Sequence, residues 1–189
     1  MAQTPNLPPR IAPVTPDETD DRTKEMLAAL GGGMSSALNI FTTLAHHPKL
    51  LKKWSEFGGV LLYGGELPAR DREIVILRTG WNCQSEYEWG QHKIIGLRAG
   101  LTEKEVEATC LPADAAGWSD DDALLIKASD ELHEASMVSD ATWAALSARY
   151  STQQLIELLF NVGQYHLVSM TLNSLRVQRD DGVEGFPRA

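Results

Sequence analysis

Four side chains between positions 73 and 92 have the types needed to hold and move a proton: Glu73, Ser85, Glu88 and His92. An imidazole titrates near neutral pH, and a carboxylate beside it decides which nitrogen carries the proton and how firmly. Ser85, Glu88 and His92 are spaced i, i+3 and i+7, which places them on one face of a helix. Glu73 lies ten residues before Cys83, and His92 lies eight after Gln84. With a helical hairpin turning near Cys83 and Gln84, a rise of ~1.5 Å per residue puts Glu73 and His92 each about 12–15 Å from the turn. Two carboxylates, a hydroxyl and an imidazole then converge at one depth.

A simpler reading competes for two of them. Ser85 followed by Glu88 also fits a capping box at a helix start, as do Thr15/Glu18, Thr102/Glu105 and Ser151/Gln154. Glu73 could equally edge a helix at the surface, and His92 alone could be half-buried without chemistry. The joint placement is what points to acid–base work.

The hairpin that must position these groups runs from Pro68 to Gly100. Pro68 suits a first helical position, Ile74 to Leu77 give the first helix its buried side, and Gly100 suits a left-handed stop. Elsewhere the pattern is helical. Thr15-Pro16-Asp17-Glu18 opens a helix through Leu30, and Gly31-Gly32-Gly33 ends it. That glycine run follows no strand, which argues against a phosphate loop. Asn39 to Leu44 forms a short helical segment. Pro48 starts a helix to about Tyr63. His46 and His47 would point to different sides of any helix and make a poor metal pair.

Further on, Thr102 caps a helix to about Cys110, Ser119 one to about Ala135, and Ser139 one to Tyr150. The Asp120-Asp121-Asp122 run suits a helix first turn and lacks the alternating acidic spacing and closing Glu of a calcium loop. Ser151 opens the longest helix, to about Arg179. Its apolar residues fall on more than one face, so it is central or shared with another subunit. Tyr165 and His166 interrupt that surface as hydrogen-bonded core or interface groups. Residues 1–16 hold five of the nine prolines and read as an extended arm, and the tail from Asp180 reads as loose. No strand-period alternation is evident. The expectation is an all-α fold of about seven or eight helices in a single domain spanning 1–189.

Composition narrows the function. The chain has 189 residues, 43% hydrophobic, with net charge −9 and two cysteines, Cys83 and Cys110. The acidic balance argues against nucleic acid, no basic run suggests an anionic membrane, and no apolar run is long enough to span one. No disulfide framework, Cys-x-x-Cys or signal peptide is visible, so a reducing cytoplasm is expected.

Leu67-Pro68-Ala69-Arg70-Asp71-Arg72-Glu73-Ile74-Val75-Ile76-Leu77-Arg78, then Ser85-Glu86-Tyr87-Glu88-Trp89-Gly90-Gln91-His92, then Gly100-Leu101-Thr102, resembles the carboxymuconolactone decarboxylase family, which includes the alkylhydroperoxidase D-like proteins. The likeness is strong from Leu67 to Glu107. It extends more weakly through Asn39-Ile40-Phe41, His46-His47-Pro48 and the last helix. It implies an all-helical subunit assembling into trimers or hexamers. The family's peroxidase branch uses Cys-x-x-Cys-x-x-x-His with a Glu twelve residues before the first Cys. Glu73 and His92 match, but Ser85 and Glu88 stand in place of the cysteines. A hydroxyl and a carboxylate cannot form the disulfide that thiol turnover requires.

The decarboxylase branch is a cofactor-free acid–base lyase that removes CO₂ from a carboxylated lactone, and the resemblance implies for this chain a cofactor-free lyase or isomerase acting on a small oxygenated acid or lactone. By that resemblance His92 donates or accepts the proton, Glu88 orients it or raises its pKa, Glu73 stands second in the relay, and Ser85 donates to a substrate oxygen. Tyr87 and Trp89 line the pocket or belong to the core, and Arg70, Arg72 or Arg78 binds a substrate carboxylate or stays a solvated helix cation. Cys83 and His166 complete the set of substrate-contacting candidates, and no metal site is expected. Two other readings stay open: a peroxide reductase using Cys83 with an external thiol, and a non-catalytic helical oligomer that binds a small molecule or partner.

Overall fold

The computed structural model describes residues 7–31, 38–114 and 117–187. Among these, a 3₁₀ turn at Pro16–Glu18 is followed by nine α-helices and no strand. They are α1 (Asp21–Gly31), α2 (Asn39–Leu44), α3 (Pro48–Tyr63), α4 (Ala69–Asn82), α5 (Glu86–Arg98), α6 (Glu103–Ala108), α7 (Asp120–Ala135), α8 (Asp140–Arg149) and α9 (Thr152–Leu175). The fold class is the one expected. Gly32 and Gly33, assigned to the end of the first helix, lie outside the described residues.

The helix at the centre is α4. Ile74, Val75, Ile76 and Leu77 are all fully buried, and four consecutive residues occupy every side of a helix. Partners are therefore needed all round: α5, α7 and α9 pack against it. Their shared core includes Leu125, Ile126, Leu146, Leu158 and Val162. The long α9, expected as central or shared with another subunit, buries one stripe (Leu155, Leu158, Val162, Val168, Leu172) and leaves another exposed (Ile156, Phe160, Leu167, Met170).

Polar groups lock α4 in place. Arg78 grips both oxygens of Asp130 on α7 at 2.6 and 2.8 Å and donates to the carbonyls of Thr109 and Leu111. Arg70 holds Asp122 and Glu105. Neither guanidinium is a solvated cation free for a substrate. Asp71, buried at the start of α4, accepts from Tyr150 Oη at 2.7 Å and Arg149 Nη2 at 3.0 Å. Asp120, Asp121 and Asp122 sit in the first turn of α7 beneath the Ser119 cap, as the helix dipole favours.

Three boundaries differ from expectation. The first predicted helix is broken, because Thr19 is extended and Asp20 accepts from the Thr23 N–H to start α1 anew. Pro68 is the N-cap of α4 rather than its first helical residue. The last helix stops at Leu175, where Arg176 turns left-handed (φ 55°, ψ 48°).

The tail beyond α9 is not loose through residue 187. Asp180 accepts from Asn39 N, Tyr87 Oη and Gln91 Nε2 at 2.6–2.7 Å. Phe186 packs edge-on against Trp81 and Trp89. Gly90 permits this: a Cβ there would lie 2.2 Å from the Glu184 carbonyl oxygen. The N-terminal arm is also tied to its own chain, through Arg10 N to Leu175 O and Val14 N to Thr42 O.

Asp180→Ala should cost about 2–3 kcal/mol, since it removes hydrogen bonds to a charged acceptor and leaves a partly buried tyrosine hydroxyl short of one partner. Urea denaturation measures this. A loss under ~0.5 kcal/mol, the scale of an ordinary surface change, would mean the tail does not brace the helices.

Candidate active site

Glu73 and His92 meet because α4 and α5 form a close antiparallel pair. The turn between them has Cys83 closing α4, Gln84 left-handed (φ 53°) and Ser85 N–H donating to Gly80 O. Gly80 faces the Trp89 backbone, and Gly96 faces Leu77 and the Glu73 Cβ. Glycines at these crossings bring the two backbones near enough for a short carboxylate to reach a ring on the next helix.

His92 is held at both nitrogens. Nδ1 lies 2.6 Å from Glu73 Oε2, and Nε2 lies 3.2 Å from Glu88 Oε1 one turn back on α5. The other oxygen of Glu73 accepts from Arg72 Nε at 2.9 Å. Glu73 is fully buried, while Glu88 and His92 are 5% and 4% exposed. The ring of Tyr165 on α9 meets the imidazole edge-on, centroids 4.8 Å apart.

Electrostatics follow from that sandwich. Burial alone would push the His92 pKa down, but the carboxylates of Glu73 and Glu88 outweigh it and raise it to about 9. Burial likewise opposes ionisation of Glu73, yet His92 and Arg72 bring its pKa below the ordinary value. The ring is therefore an imidazolium at neutral pH, donating from both nitrogens. The two carboxylates bracket opposite edges of the ring, so no single cation can touch all three groups.

His92 and Glu88 line a cavity of about 230 Å³, and Glu73 stands behind them. Its walls come from α3 (Trp54, Gly58, Gly59), α5 (Tyr87, Gln91, Ile95) and α9 (Gln164, Tyr165, Val168), with Ile40 and Phe41 from α2. The Trp54 indole N–H is buried without a partner among the described residues. Burial, then the nearby carboxylates, push the Tyr165 phenol well above its ordinary pKa, so it is a neutral hydroxyl.

The structure redistributes the other predicted site residues. Ser85 is the N-cap of α5, but its hydroxyl makes no cap bond. The capping box expected there is absent because Glu88 turns to His92. Ser85 is also fully buried and off the cavity wall. Tyr87 does line the cavity, with its hydroxyl tied between Asp180 and Ile40 N. Trp89 points the other way, into the core, and donates to Thr109 Oγ1 at 3.1 Å. Arg72 is committed to Glu73 behind the cavity. Cys83 and His166 are absent from the cavity wall and lie together elsewhere, with His133. The contributions of Trp54, Gln164 and Tyr165 were missed as site features, because α3 and α9 carry no motif and reach the hairpin only through folding. The Gly58-Gly59 pair, which leaves room on one face of α3, is the one sequence signal of the cavity.

Residues 48–128 match the model of the carboxymuconolactone decarboxylase family. The match covers α3 to the middle of α7, including Glu73, Glu88 and His92. A peroxidase-related protein with an alkylhydroperoxidase AhpD core, from Ralstonia eutropha, superposes with TM-score 0.80 at 16% identity, over 92% of this chain and 93% of its own. A peroxidase-related protein from Silicibacter gives TM-score 0.80 at 13% identity, over all of both chains. A protein of unknown function from Agrobacterium tumefaciens gives 0.67 at 14%, over 72% and 94%. At such identities the likeness establishes an AhpD-like fold. A search of curated proteins gives no match. Among the described residues no helix is long and apolar enough to cross a membrane.

The pairing fixes a pH signature. The His92 pKa is raised, so the stability it contributes is complete below the ordinary histidine value of 6.5 and is lost as pH climbs through about 9. The Glu73 pKa is lowered, so its share is present above 4.5 and disappears as pH falls through the folded value. NMR of the imidazole should show titration near pH 9, and Glu73→Gln should move the midpoint down. The stability gap between wild type and Glu73→Gln should narrow from pH 6.5 to above 9. A wild-type midpoint at or below 6.5 would refute the buried imidazolium.

Proposed function

We propose that this protein is a cofactor-free acid–base enzyme, decarboxylase-like or isomerase-like, acting on a small oxygenated acid or lactone in the α3/α5/α9 cavity. The observation that carries this reading is a buried imidazole, clamped by a carboxylate at each nitrogen, with one of those carboxylates facing an apolar chamber of metabolite size.

In the decarboxylation form, the bond between the substrate carbon and its carboxylate breaks and CO₂ leaves. The electron pair moves into the neighbouring carbonyl as an enolate. The His92 Nε2 proton then passes to the carbon, directly or across Glu88, and solvent restores it. Glu73, with Arg72 behind it, keeps Nδ1 protonated and the ring fixed. Tyr165 hydroxyl, Gln164 amide and the unpartnered Trp54 indole N–H are donors available to an enolate oxygen. The apolar walls weaken hydration of the leaving carboxylate. In the isomerase form the same pair removes a proton from one carbon and returns it to another.

A second reading is peroxide reduction. It is favoured by the peroxidase-related solved structures that share the fold. It rests on Cys83, since Cys110 is buried and burial pushes its thiol up to about 12. Burial raises the Cys83 thiol too. Neither is an activated thiolate, and an external thiol would have to resolve any sulfenate.

The subunit is also proposed to form a homo-oligomer, trimer or hexamer, through the exposed stripe of α9 and the adjoining Phe57 and Val60 of α3. Phe57 and Phe160 already pair edge to face, 6.1 Å apart, at 40% and 53% exposure.

His92→Ala should leave a folded protein and lower turnover of the responsive substrate by ~10²–10⁴-fold, the scale of a positioned acid–base group. A panel of carboxylated lactones and 3-oxo acids, read by CO₂ release and by proton–deuterium exchange, identifies that substrate. Unchanged turnover in the variant would exclude the proposed role. Thiol-dependent peroxide consumption that disappears in Cys83→Ser would favour the second reading. Light scattering should report a mass that is a multiple of the 20.8 kDa chain. Phe160→Asp with Leu167→Asp should reduce it to the monomer, and an unchanged mass would move the interface elsewhere.

A further inference from the structure

Away from the cavity, three helices deliver one ligand-type side chain each to a common point. Cys83 ends α4, His133 lies in the last turn of α7, and His166 lies midway along α9. The Cys83 Sγ and one ring nitrogen of each histidine all fall within 4.8 Å of one another. His133 Nδ1 and His166 Nε2 are 2.8 Å apart, with the rings stacked at 5.1 Å between centroids.

The hydrogen bonds settle what His166 presents. Its Nδ1 lies 2.8 Å from the Val162 carbonyl oxygen, to which only an N–H can donate. The proton is therefore on Nδ1, and Nε2 offers its lone pair to the cluster. A backbone carbonyl that fixes the tautomer is the usual support behind a metal-bound histidine. Behind Cys83, Asn173 Nδ2 donates to its carbonyl oxygen at 2.8 Å. The Ser169 hydroxyl, fully buried, neighbours the thiol and has no other hydrogen-bond partner among the described residues. It is poised to donate to a thiolate there. His133 is exposed, which opens the cluster to solvent.

We propose that Cys83, His133 and His166 form a binding site for a borderline-soft divalent cation, zinc first, with a fourth position open to solvent. One thiolate and two neutral imidazoles suit zinc in both softness and number. Tetrahedral zinc spaces such donors ~3.3–3.6 Å apart. The two nitrogens must separate by about 0.5–0.8 Å and the sulfur close by up to about 1.2 Å, which side-chain rotation supplies. The thiol releases one proton to solvent as the metal–sulfur bond forms. His133 carries its remaining proton on Nε2 once Nδ1 is bound, so no other proton is lost. The site tethers the end of α4 to α7 and α9, and none of its three ligands lines the His92 cavity. It takes no part in the acid–base reading.

The experiment uses the full chain, stripped with a chelator and titrated with Co²⁺, then Zn²⁺. One equivalent of Co²⁺ should produce thiolate-to-metal charge-transfer absorption that Zn²⁺ abolishes. Cys83→Ser should lose that band while keeping its circular dichroism. His133→Ala, at an exposed position, should weaken Zn²⁺ binding by at least ~10–100-fold, the scale seen for mere supporting groups around a metal. His92→Ala should bind as wild type does. Absence of the charge-transfer band, its persistence in Cys83→Ser, or unchanged affinity in His133→Ala would overturn the assignment. If Cys83→Ser fails to fold, the His133→Ala affinity decides.

Discussion

A carboxylate with no exposed surface is the constraint from which the rest of this structure follows. Leaving Glu73 charged and alone inside the protein would cost several kcal/mol, and its partners have to be as well placed as it is. Arg72 on one oxygen and a protonated His92 on the other meet that demand, and Glu88 closes the series. Reading along Arg72, Glu73, His92 and Glu88, the signs alternate and sum to zero. Removing any member strands a buried charge. The arrangement also accounts for the raised His92 pKa: the proton on the ring is part of what keeps Glu73 ionised.

That ionic chain dictates the packing around it. A glutamate can reach a ring across an interhelical gap only where the helices nearly touch, and Gly80 and Gly96 supply that proximity between α4 and α5. The four-residue apolar run of α4 then needs cover from α7 and α9, and Arg78 and Arg70 are consumed in fastening α7 and the α6 region to it. The arginines that looked available for a substrate anion are therefore structural. In the proposed reaction an enolate oxygen would meet neutral donors on α3 and α9, which cost less to bury in an apolar chamber than a second cation.

The hairpin and most helix starts were legible in the sequence because their determinants are local. Pro48, Ser119, Ser139 and Ser151 each mark a boundary within one residue, since a cap acts over one turn. The meeting of Glu73 with His92 was legible for the same reason: it needs only helical rise and a turn at Cys83. What could not be read depends on contacts across long separations. Whether Ser85 caps or Glu88 pairs with His92 is a competition between a local bond and an ion pair, decided by how deeply α5 is buried. Trp89 and Tyr87 are two residues apart and face opposite ways, which spacing alone does not assign to core and cavity. The tail held by Asp180 lacked any local signal, because its partners lie some ninety and one hundred and forty residues away.

Ser85 and Glu88 stand where the peroxidase branch of the resembling family carries cysteines, and that difference changes the chemistry open to the hairpin. A thiol at position 88 beside His92 would be activated as a nucleophile, and a second thiol at 85, one helical turn away, would resolve it. A carboxylate at 88 does the reverse: it raises the imidazole's hold on its proton instead of taking advantage of its basicity. With Ser85 sealed and unpartnered behind it, no redox couple remains on that face. On the proposed acid–base reading, the same hairpin that could position a thiolate would position an acid, and the likeness to peroxidase-related structures is a likeness of fold.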